Sequence, residues 1–354
     1  MRKVGVERRY KISVVIPVRN EARSLPGLLQ SFVDQEFPPE DFEILVVDGR
    51  SEDGTREVVS EFAVAGPVRV VLVDNPKIRS GPGRNAGVRE SSADYVVFVD
   101  GHCQIPSRYL LRDTILLFEG TGADCLCRPQ PLLAPSSKRG EEIAAVRAST
   151  LGHGRDSLIY SLEFSGFVDP ASSGASYRSR VFDRVGMYDE EFDACEDVEF
   201  NTRVRKAGMK AYTDPRLAVY YEPRRNVRAL FRQMSRYGRG RVKLAIKHPD
   251  AISLSQFAPL ALLGLLLIGL GVFLVGGMLR VAVLLTPVLY VALVAASTFI
   301  LARKRGLIFL WSAPLIYAAI HLGLGTGMFV EAIAQARSWL TRLAVRRDQT
   351  AMQP

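Results

Sequence analysis

The chain holds only four cysteines and four histidines in 354 residues. Cys103, Cys125, Cys127 and Cys195 form no C-x-x-C pair. Their spacing offers neither a disulfide framework nor a zinc site and suits a reducing cytosol. Two nucleotide motifs are missing as well. There is no G-x-x-x-x-G-K-[ST], and no G-x-G-x-x-G follows the first apolar run, so neither a P-loop nor a dinucleotide fingerprint is present. The N-terminus is basic, but its apolar run, 12–18, is short and ends on Arg19-Asn20-Glu21, which makes a poor signal peptide and a good first strand. Charge is nearly absent from 257–333, and acid is absent from 224–247, where nine residues are Lys or Arg.

These gaps divide the chain. Its length allows two domains, or one with an appendage. The net charge of +9 calls for an anionic partner. The basic block lies directly before the first long apolar run, a position that favours anionic lipid headgroups over nucleic acid; the plainer reading is a solvated basic face. Three apolar stretches, 257–279, 281–302 and 306–330, are each long enough to cross a bilayer. With the block 224–247 cytoplasmic, the first two form a hairpin that returns Arg303-Lys304-Arg305 to the cytoplasm. A third crossing would then carry Arg337, Arg342, Arg346 and Arg347 outside. Either the charge rule is broken there or one stretch does not cross fully. His321, inside the third stretch, is either a functional group in the membrane or a side chain bonded to a neighbouring carbonyl. The expected plan is a catalytic domain over 1–223, a basic juxtamembrane helical segment over 224–250, a membrane region over 251–333 and a basic tail over 334–354. This implies a multi-pass protein of the cell's inner membrane with a cytoplasmic catalytic domain.

Four β-branched apolar runs recur in the first part: SVVIPV (13–18), EILVVD (43–48), RVVLVD (69–74) and YVVFVD (95–100). Helical patterns lie between them, Leu25, Leu28, Leu29 and Phe32 in the first gap and Val58, Val59 and Phe62 in the second. This alternation predicts an α/β fold with a mainly parallel sheet covered on both faces by helices. Three runs end on Asp48, Asp74 and Asp100, at the strand ends where open α/β sheets bind ligands. In Ser51–Thr55 we expect plain turn chemistry, with Ser51 or Asp53 capping the next helix. The segment NPKIRSGPGRNAGV (75–88) places Lys77, Arg79 and Arg84 around two glycines ahead of a helix, which suits a phosphate.

Asp100-Gly101-His102 reads as a metal edge. A carboxylate and an imidazole two residues apart can face one cation, and Gly101 removes a side chain that would obstruct it. The imidazole shifts the preference from Mg²⁺ toward Mn²⁺. The plainer reading is a turn aspartate and an incidental histidine. Further on, CEDVEFNTRVRKAG (195–208) predicts a helix ending at Gly208. Its acids suit the first turn through the helix dipole alone; alternatively, one is a general base for a hydroxyl.

Taken in order, these motifs resemble the family 2 inverting glycosyltransferases with a GT-A fold, over about 11–245. SVVIPVRNE resembles the family's opening strand, and VVDGRSEDGT its second-strand signature. Asp100-Gly101-His102 occupies the D-x-D position, and Glu196-Asp197 the E-D position. Gln233, Arg236 and Tyr237 resemble a Q-x-x-R-W motif with Tyr for Trp. The resemblance implies that Pro17, Arg19, Glu21, Asp48, Arg79, Arg84 and Asp100 bind a nucleotide-sugar donor, a UDP-sugar. Asp100 and His102 would hold the metal. Asp197 would be the catalytic base, with Glu196 orienting the acceptor. Ser173, Gly174, Gln233, Arg236 and Tyr237 would serve the acceptor.

His102 and Tyr237 depart from the family pattern, and the membrane region is short. The pattern is most similar to succinoglycan-type glucosyltransferases, which implies transfer of one sugar to a polyprenyl-diphosphate-linked glycan. A polyprenyl-phosphate sugar synthase, a processive polysaccharide synthase and an inactive membrane scaffold are the alternatives. The first needs no hydroxyl base, so Glu196-Asp197 argues against it.

Overall fold

All four apolar runs form strands: β1 (Tyr10–Val18), β2 (Phe42–Asp48), β3 (Arg69–Asp74) and β4 (Ala93–Phe98). They belong to a computed structural model that describes residues 10–133, 137–153, 158–251, 254–264 and 278–351. The chain divides into two units, 1–134 with 156–223, and 135–155 with 224–354.

In the first unit the order across the sheet is β3-β2-β1-β4-β8-β6-β9-β7. Here β6 is Cys125–Cys127, β7 Gly166–Val168, β8 Gly174–Arg178 and β9 Ala211–Thr213. The first four strands pair in parallel, whereas β8 runs antiparallel to both β4 and β6. A short second ribbon joins β5 (Cys103–Gln104) to β10 (Tyr220–Tyr221).

Alternate residues of each strand feed opposite layers. Val14 and Ile16 pack with Leu28, Phe32 and Phe118, from α1 (Leu25–Val33) and α4 (Leu110–Thr121). Val15, Val96 and Phe98 pack on the other face with Val88, Phe182 and Phe200. Those three come from α3 (Ser80–Glu90), α7 (Arg180–Val185) and α8 (Glu196–Lys206). This double cover is why the strands lack polar alternation.

Register aligns the acidic ends. Val18 pairs with Asp48, and Asp48 with Asp74. Asp100 lies two residues beyond β4, where its carbonyl accepts from Cys103 N–H at 3.0 Å. The strand thus stops just short of the end of the apolar run: Val99 N–H still donates to Val15 O at 3.1 Å, and the tight turn Asp100–Cys103 follows. The N-cap of α2 (Thr55–Ala65) is Gly54 at φ +90°, and Asp53 Oδ1 accepts from the first helical N–H, that of Thr55, at 3.2 Å. Ser51 and Asp53 also fasten the loop after β1: Asn20 N–H donates to Ser51 Oγ at 2.8 Å and Ala22 N–H to Asp53 Oδ2 at 3.1 Å.

The second unit is helical. It comprises α5 (Lys138–Arg147), α6 (Thr150–His153), α9 (Val227–Lys247) and two long helices, Met278–Arg305 and Phe309–Ala351. Ile143, Val146, Leu230, Ile316, Tyr317 and Ile320 share one core, which draws 135–155 into this unit. A Cβ at Gly238 on α9 would lie 2.2 Å from the Leu324 carbonyl oxygen, so these helices touch backbone to backbone, as small residues allow between packed membrane helices. On α9, Arg228, Arg232, Arg236, Arg239, Lys243 and Lys247 recur at helical spacing on one face, while Leu230, Met234 and Val242 are buried.

Two segments, Pro287–Arg305 and Phe309–Arg342, are long and apolar enough to cross a membrane. Leu285, Val288, Leu289, Val291 and Trp311 all point outward, with exposures of 60–83%. Most of the expected first crossing, 257–279, lies outside the described residues. The third continues without interruption into the expected tail, as far as Ala351. His321 bonds the Leu151 carbonyl and the Tyr290 hydroxyl, each at 3.0 Å, so both ring nitrogens serve packing.

Candidate active site

The carboxyl ends of β1, β2, β3 and β4 and the start of α8 supply the charged side chains of one cleft. The backbone there is strained. Asn20, Arg50, Ile78 and Cys195 adopt φ of +56° to +70°, a region that costs any non-glycine residue and most of all a β-branched one such as Ile78. Each lies in a loop that delivers a candidate residue, which is where proteins tend to retain such strain. Cys195 is the N-cap of α8, and its left-handed backbone sets the direction in which Glu196 and Asp197 leave the loop.

Arg84 is the centre of this cleft. Its side chain is 12% exposed. Nη1 donates to Glu196 Oε1 at 2.6 Å, and Nη2 to Asp100 Oδ1 at 3.3 Å. Ser80 Oγ also donates to Glu196 Oε1, at 2.6 Å. The guanidinium lies over the rings of Phe98 and Tyr188, at 5.9 and 5.5 Å. Burial works against its charge, but Glu196 and Asp100 outweigh that and raise its pKa above the ordinary value. Asp100 responds in the opposite sense. Burial opposes its charge, yet Arg84 and His102 hold its carboxyl below the usual range.

Asp197 is different. Its side chain is exposed, whereas that of Glu196 is buried. Burial and the neighbouring Glu196 push its pKa up to about 6, against the pull of Arg84. A carboxyl so poised can accept a proton near neutral pH.

Glu21 meets His102, Oε1 to Nδ1, at 3.1 Å, and accepts from Ser24 Oγ at 2.7 Å. The His102 ring stands edge-on to Tyr221 at 5.2 Å. Gly101 is needed here for a reason other than metal access: a Cβ would lie 2.7 Å from Val18 Cγ1 and 3.3 Å from Glu21 Cγ. The D-G-H turn is therefore packed directly onto the loop after β1. Among the described residues no cluster of three or more His, Cys, Asp or Glu is placed to hold a metal. Asp100 with His102 is a two-donor set, whose chemistry fits a divalent ion that also takes phosphate or water oxygens.

The other expected residues divide into three groups. Asp48 is 1% exposed and bonded to Ser51 N–H and to Arg56 Nη1, the latter at 2.9 Å. Arg56 also binds Asp74 at 2.8 Å, a bridge that the sequence pattern did not single out. Pro17 is half-buried and Arg19 exposed beyond it. Arg79 is half exposed and 3.8 Å from Asp193. Ser173 and Gly174 open β8 beside α8: the Tyr177 hydroxyl donates to Asn201 Oδ1 at 2.8 Å, and a Cβ on Gly174 would meet that same oxygen at 2.5 Å. Gln233, Arg236 and Tyr237 lie on α9 of the second unit, where Gln233 Nε2 donates to the Tyr237 hydroxyl at 3.2 Å and Arg236 is exposed in the basic stripe.

Residues 13–186 match the sequence model described as Glycosyl transferase family 2, and 130–330 match Glycosyl transferase family group 2. The chain belongs to glycosyl transferase family 2. It is 32% identical over 264 residues to the succinoglycan biosynthesis protein ExoA of Rhizobium meliloti, covering 70% of this chain and 74% of that one. It is 26% identical to the glycosyltransferase AglE of Haloferax volcanii, over 71% and 79% of the two chains. Among solved structures, a mannosyltransferase from Pyrobaculum calidifontis in complex with GDP-Man and Mn²⁺ superimposes with a TM-score of 0.59 at 18% identity. That match covers 92% of this chain and 90% of the other, so the GT-A fold expected from the motifs is the fold observed. This glycosyltransferase thus keeps the family's architecture.

Proposed function

We propose that this glycosyltransferase is membrane-anchored and inverting, and moves a single sugar from a nucleotide-sugar to a hydroxyl of a lipid-linked glycan during surface polysaccharide synthesis. The donor expected is a UDP-sugar, and the acceptor a polyprenyl-diphosphate-linked glycan. The observation that carries this reading is Arg84, which ties the Asp100 turn to the Glu196-Asp197 helix start. Donor-side and acceptor-side carboxylates thereby share one cleft.

In this reading the acceptor oxygen attacks the anomeric carbon while the bond to the diphosphate breaks on the opposite side, which inverts the configuration. Asp197 takes the hydroxyl proton, and its pKa of about 6 leaves it ionised and still basic at neutral pH. Glu196, fixed by Ser80 and Arg84, orients the acceptor. Pro17, Arg19, Glu21, Asp48, Arg79 and Arg84 bind the nucleotide and diphosphate, and Ser173 and Gly174 floor the acceptor side. Asp100 and His102 would hold a divalent ion, Mn²⁺ in preference to Mg²⁺, whose charge would offset that of the departing diphosphate. A nucleotide-sugar and Mn²⁺ in the Pyrobaculum mannosyltransferase are consistent with that pair of ligands.

Gln233, Arg236 and Tyr237 act on the acceptor, and the basic stripe of α9 engages anionic headgroups of the inner membrane. The outward apolar side chains of Met278–Arg305 support membrane insertion, with a multi-pass arrangement that keeps the catalytic unit cytoplasmic. A relative from Methanococcus voltae, a dolichyl N-acetyl-alpha-D-glucosaminyl phosphate 3-beta-D-2,3-diacetamido-2,3-dideoxy-beta-D-glucuronosyltransferase 27% identical over 64% of this chain and 71% of that one, supports a lipid-linked acceptor. The test is a transfer assay on membranes carrying wild type or Asp197→Asn, given labelled nucleotide sugars one at a time with Mn²⁺ or EDTA. Label should enter the lipid fraction only with wild type and metal. Incorporation that is unchanged in Asp197→Asn would sink the proposal.

A further inference from the structure

Arg128 follows β6 directly and is 3% exposed. Its Nε and Nη1 are buried, and no acceptor among the described residues takes a hydrogen bond from either. The backbone around it is firmly held. Arg128 N–H donates to Ser173 O at 3.1 Å, Val219 N–H to Pro129 O at 3.1 Å, and Tyr221 N–H to Pro131 O at 3.1 Å. The guanidinium lies close enough to Asp100 and Arg84 for all three charges to act on one another.

The two arginines of the cleft therefore differ. Arg84 is bonded to two carboxylates, Glu196 and Asp100, while Arg128 has its donors open. Guanidinium stays protonated in proteins, and a buried one without acceptors carries an uncompensated desolvation cost. Nε–H and Nη1–H point to different edges of the planar group, so together they suit an anion with several oxygens spread over more than one centre. In a cleft read as a nucleotide-sugar site, the available anion of that shape is a diphosphate.

We propose that Arg128 is an anion anchor of this cleft, its Nε–H and Nη1–H groups each taking an oxygen of a substrate diphosphate. The assignment rests on the glycosyltransferase reading above. Two diphosphates meet that description: that of the nucleotide donor, and that of a polyprenyl-diphosphate acceptor. Ser173, whose carbonyl holds the Arg128 backbone, stands on the expected acceptor side, and Asp100 on the donor side, so Arg128 lies between the two.

The test is calorimetric titration of the detergent-solubilised full chain with UDP, GDP and farnesyl diphosphate, each with Mn²⁺, for wild type, Arg128→Met and Arg128→Lys. A lost pair of charged hydrogen bonds should weaken binding about 10- to 100-fold. Weakening of a nucleotide places the anchor on the donor, and weakening of farnesyl diphosphate places it on the acceptor. Arg128→Met should melt no lower than wild type without ligand, since it removes a buried unpaired charge, and should lose the upward shift in Tm that ligand gives. If Arg128→Met does not fold, Arg128→Lys decides, because it keeps the charge and loses the spread of planar donors. Wild-type affinity for every probe in the variants overturns the anchor and leaves the transferase reading standing. Failure of wild type to bind any diphosphate overturns both.

Discussion

Arg84 and Glu196, 112 positions apart in the chain, meet at 2.6 Å, Nη1 to Oε1. Gly81, Gly83 and Arg84, expected ahead of a helix, lie inside α3; the start of α3 and the acidic start of α8 are thus joined, and both side chains are about 90% buried. A charge pair of this kind fixes geometry more than it adds stability, because each partner has been taken out of water. Its removal is another matter, since one charge is then left alone.

Arg84→Met should accordingly destabilise the protein by about 3–5 kcal/mol and reduce transfer about 10²-fold or more, the size of effect seen when a placed electrostatic donor is removed. Arg84→Met combined with Glu196→Gln should recover part of the stability and none of the activity. Thermal melts and transfer rates on the four members of this cycle measure the coupling. Strict additivity of the two melting shifts would show that the contact does not couple the two turns.

The pH profile should report Asp197. With a carboxyl pKa of about 6 in the folded chain, kcat/KM should climb as pH rises through about 6 and level off above it, because only the ionised form accepts a proton. The stability effect has the opposite sign. Between the ordinary value of 3.8 and about 6 the folded state binds more protons than the unfolded one, so ionisation there weakens folding. Asp197→Asn should therefore abolish transfer without lowering Tm at pH 7. A flat rate profile from pH 5 to 8 would remove Asp197 from the base role.

The strand ends were legible because a carboxylate closing an apolar run is rare, and Asp48 and Asp74 close β2 and β3 as the runs suggest. The helix at 196–206 and its stop at Gly208, φ +69°, followed from periodicity. Partnerships were not legible. Arg84 was expected to face a phosphate, from its glycine-bearing segment and from the resemblance, and its two carboxylate contacts depend on long-range folding. Arg56 looked like an ordinary residue of α2 until Asp48 and Asp74 came into register beside it. Arg128 did leave a signal of the kind used for the aspartates, a charge directly after the apolar run CLC, but a three-residue strand is too short to mark by pattern. The start of α2 shows the same limit: Asp53 does accept from the first helical N–H, but the Ser51 hydroxyl is taken by Asn20 N–H of the loop after β1.

Gly101→Ala tests the packing of the D-G-H turn. The added methyl meets Val18 Cγ1 at 2.7 Å, well inside contact distance. Overpacking of this kind typically costs about 1–3 kcal/mol, and relief by moving the turn would separate His102 from Glu21. The variant should melt lower and need more Mn²⁺ for half-maximal rate, since the His102 ring loses its orienting partner. An unchanged metal requirement beside a lowered Tm would confine Gly101 to packing.

His102 itself can be tested by restoring the family pattern. Carboxylate oxygens suit Mg²⁺, whereas an imidazole nitrogen favours softer first-row ions such as Mn²⁺. His102→Asp should therefore retain transfer and move the ratio of Mg²⁺- to Mn²⁺-supported rates toward Mg²⁺ by about tenfold, an exchange worth roughly 1.4 kcal/mol. It also sets a new carboxylate against Glu21, 3.1 Å from the present Nδ1, and that repulsion should weaken metal-free folding. Metal would then stabilise the variant more than it stabilises wild type, which a melt with and without Mn²⁺ measures directly. If His102→Asp is inactive with both ions while His102→Ala keeps its rate, the imidazole is not a ligand, and the cation, if any, is held by Asp100 without it.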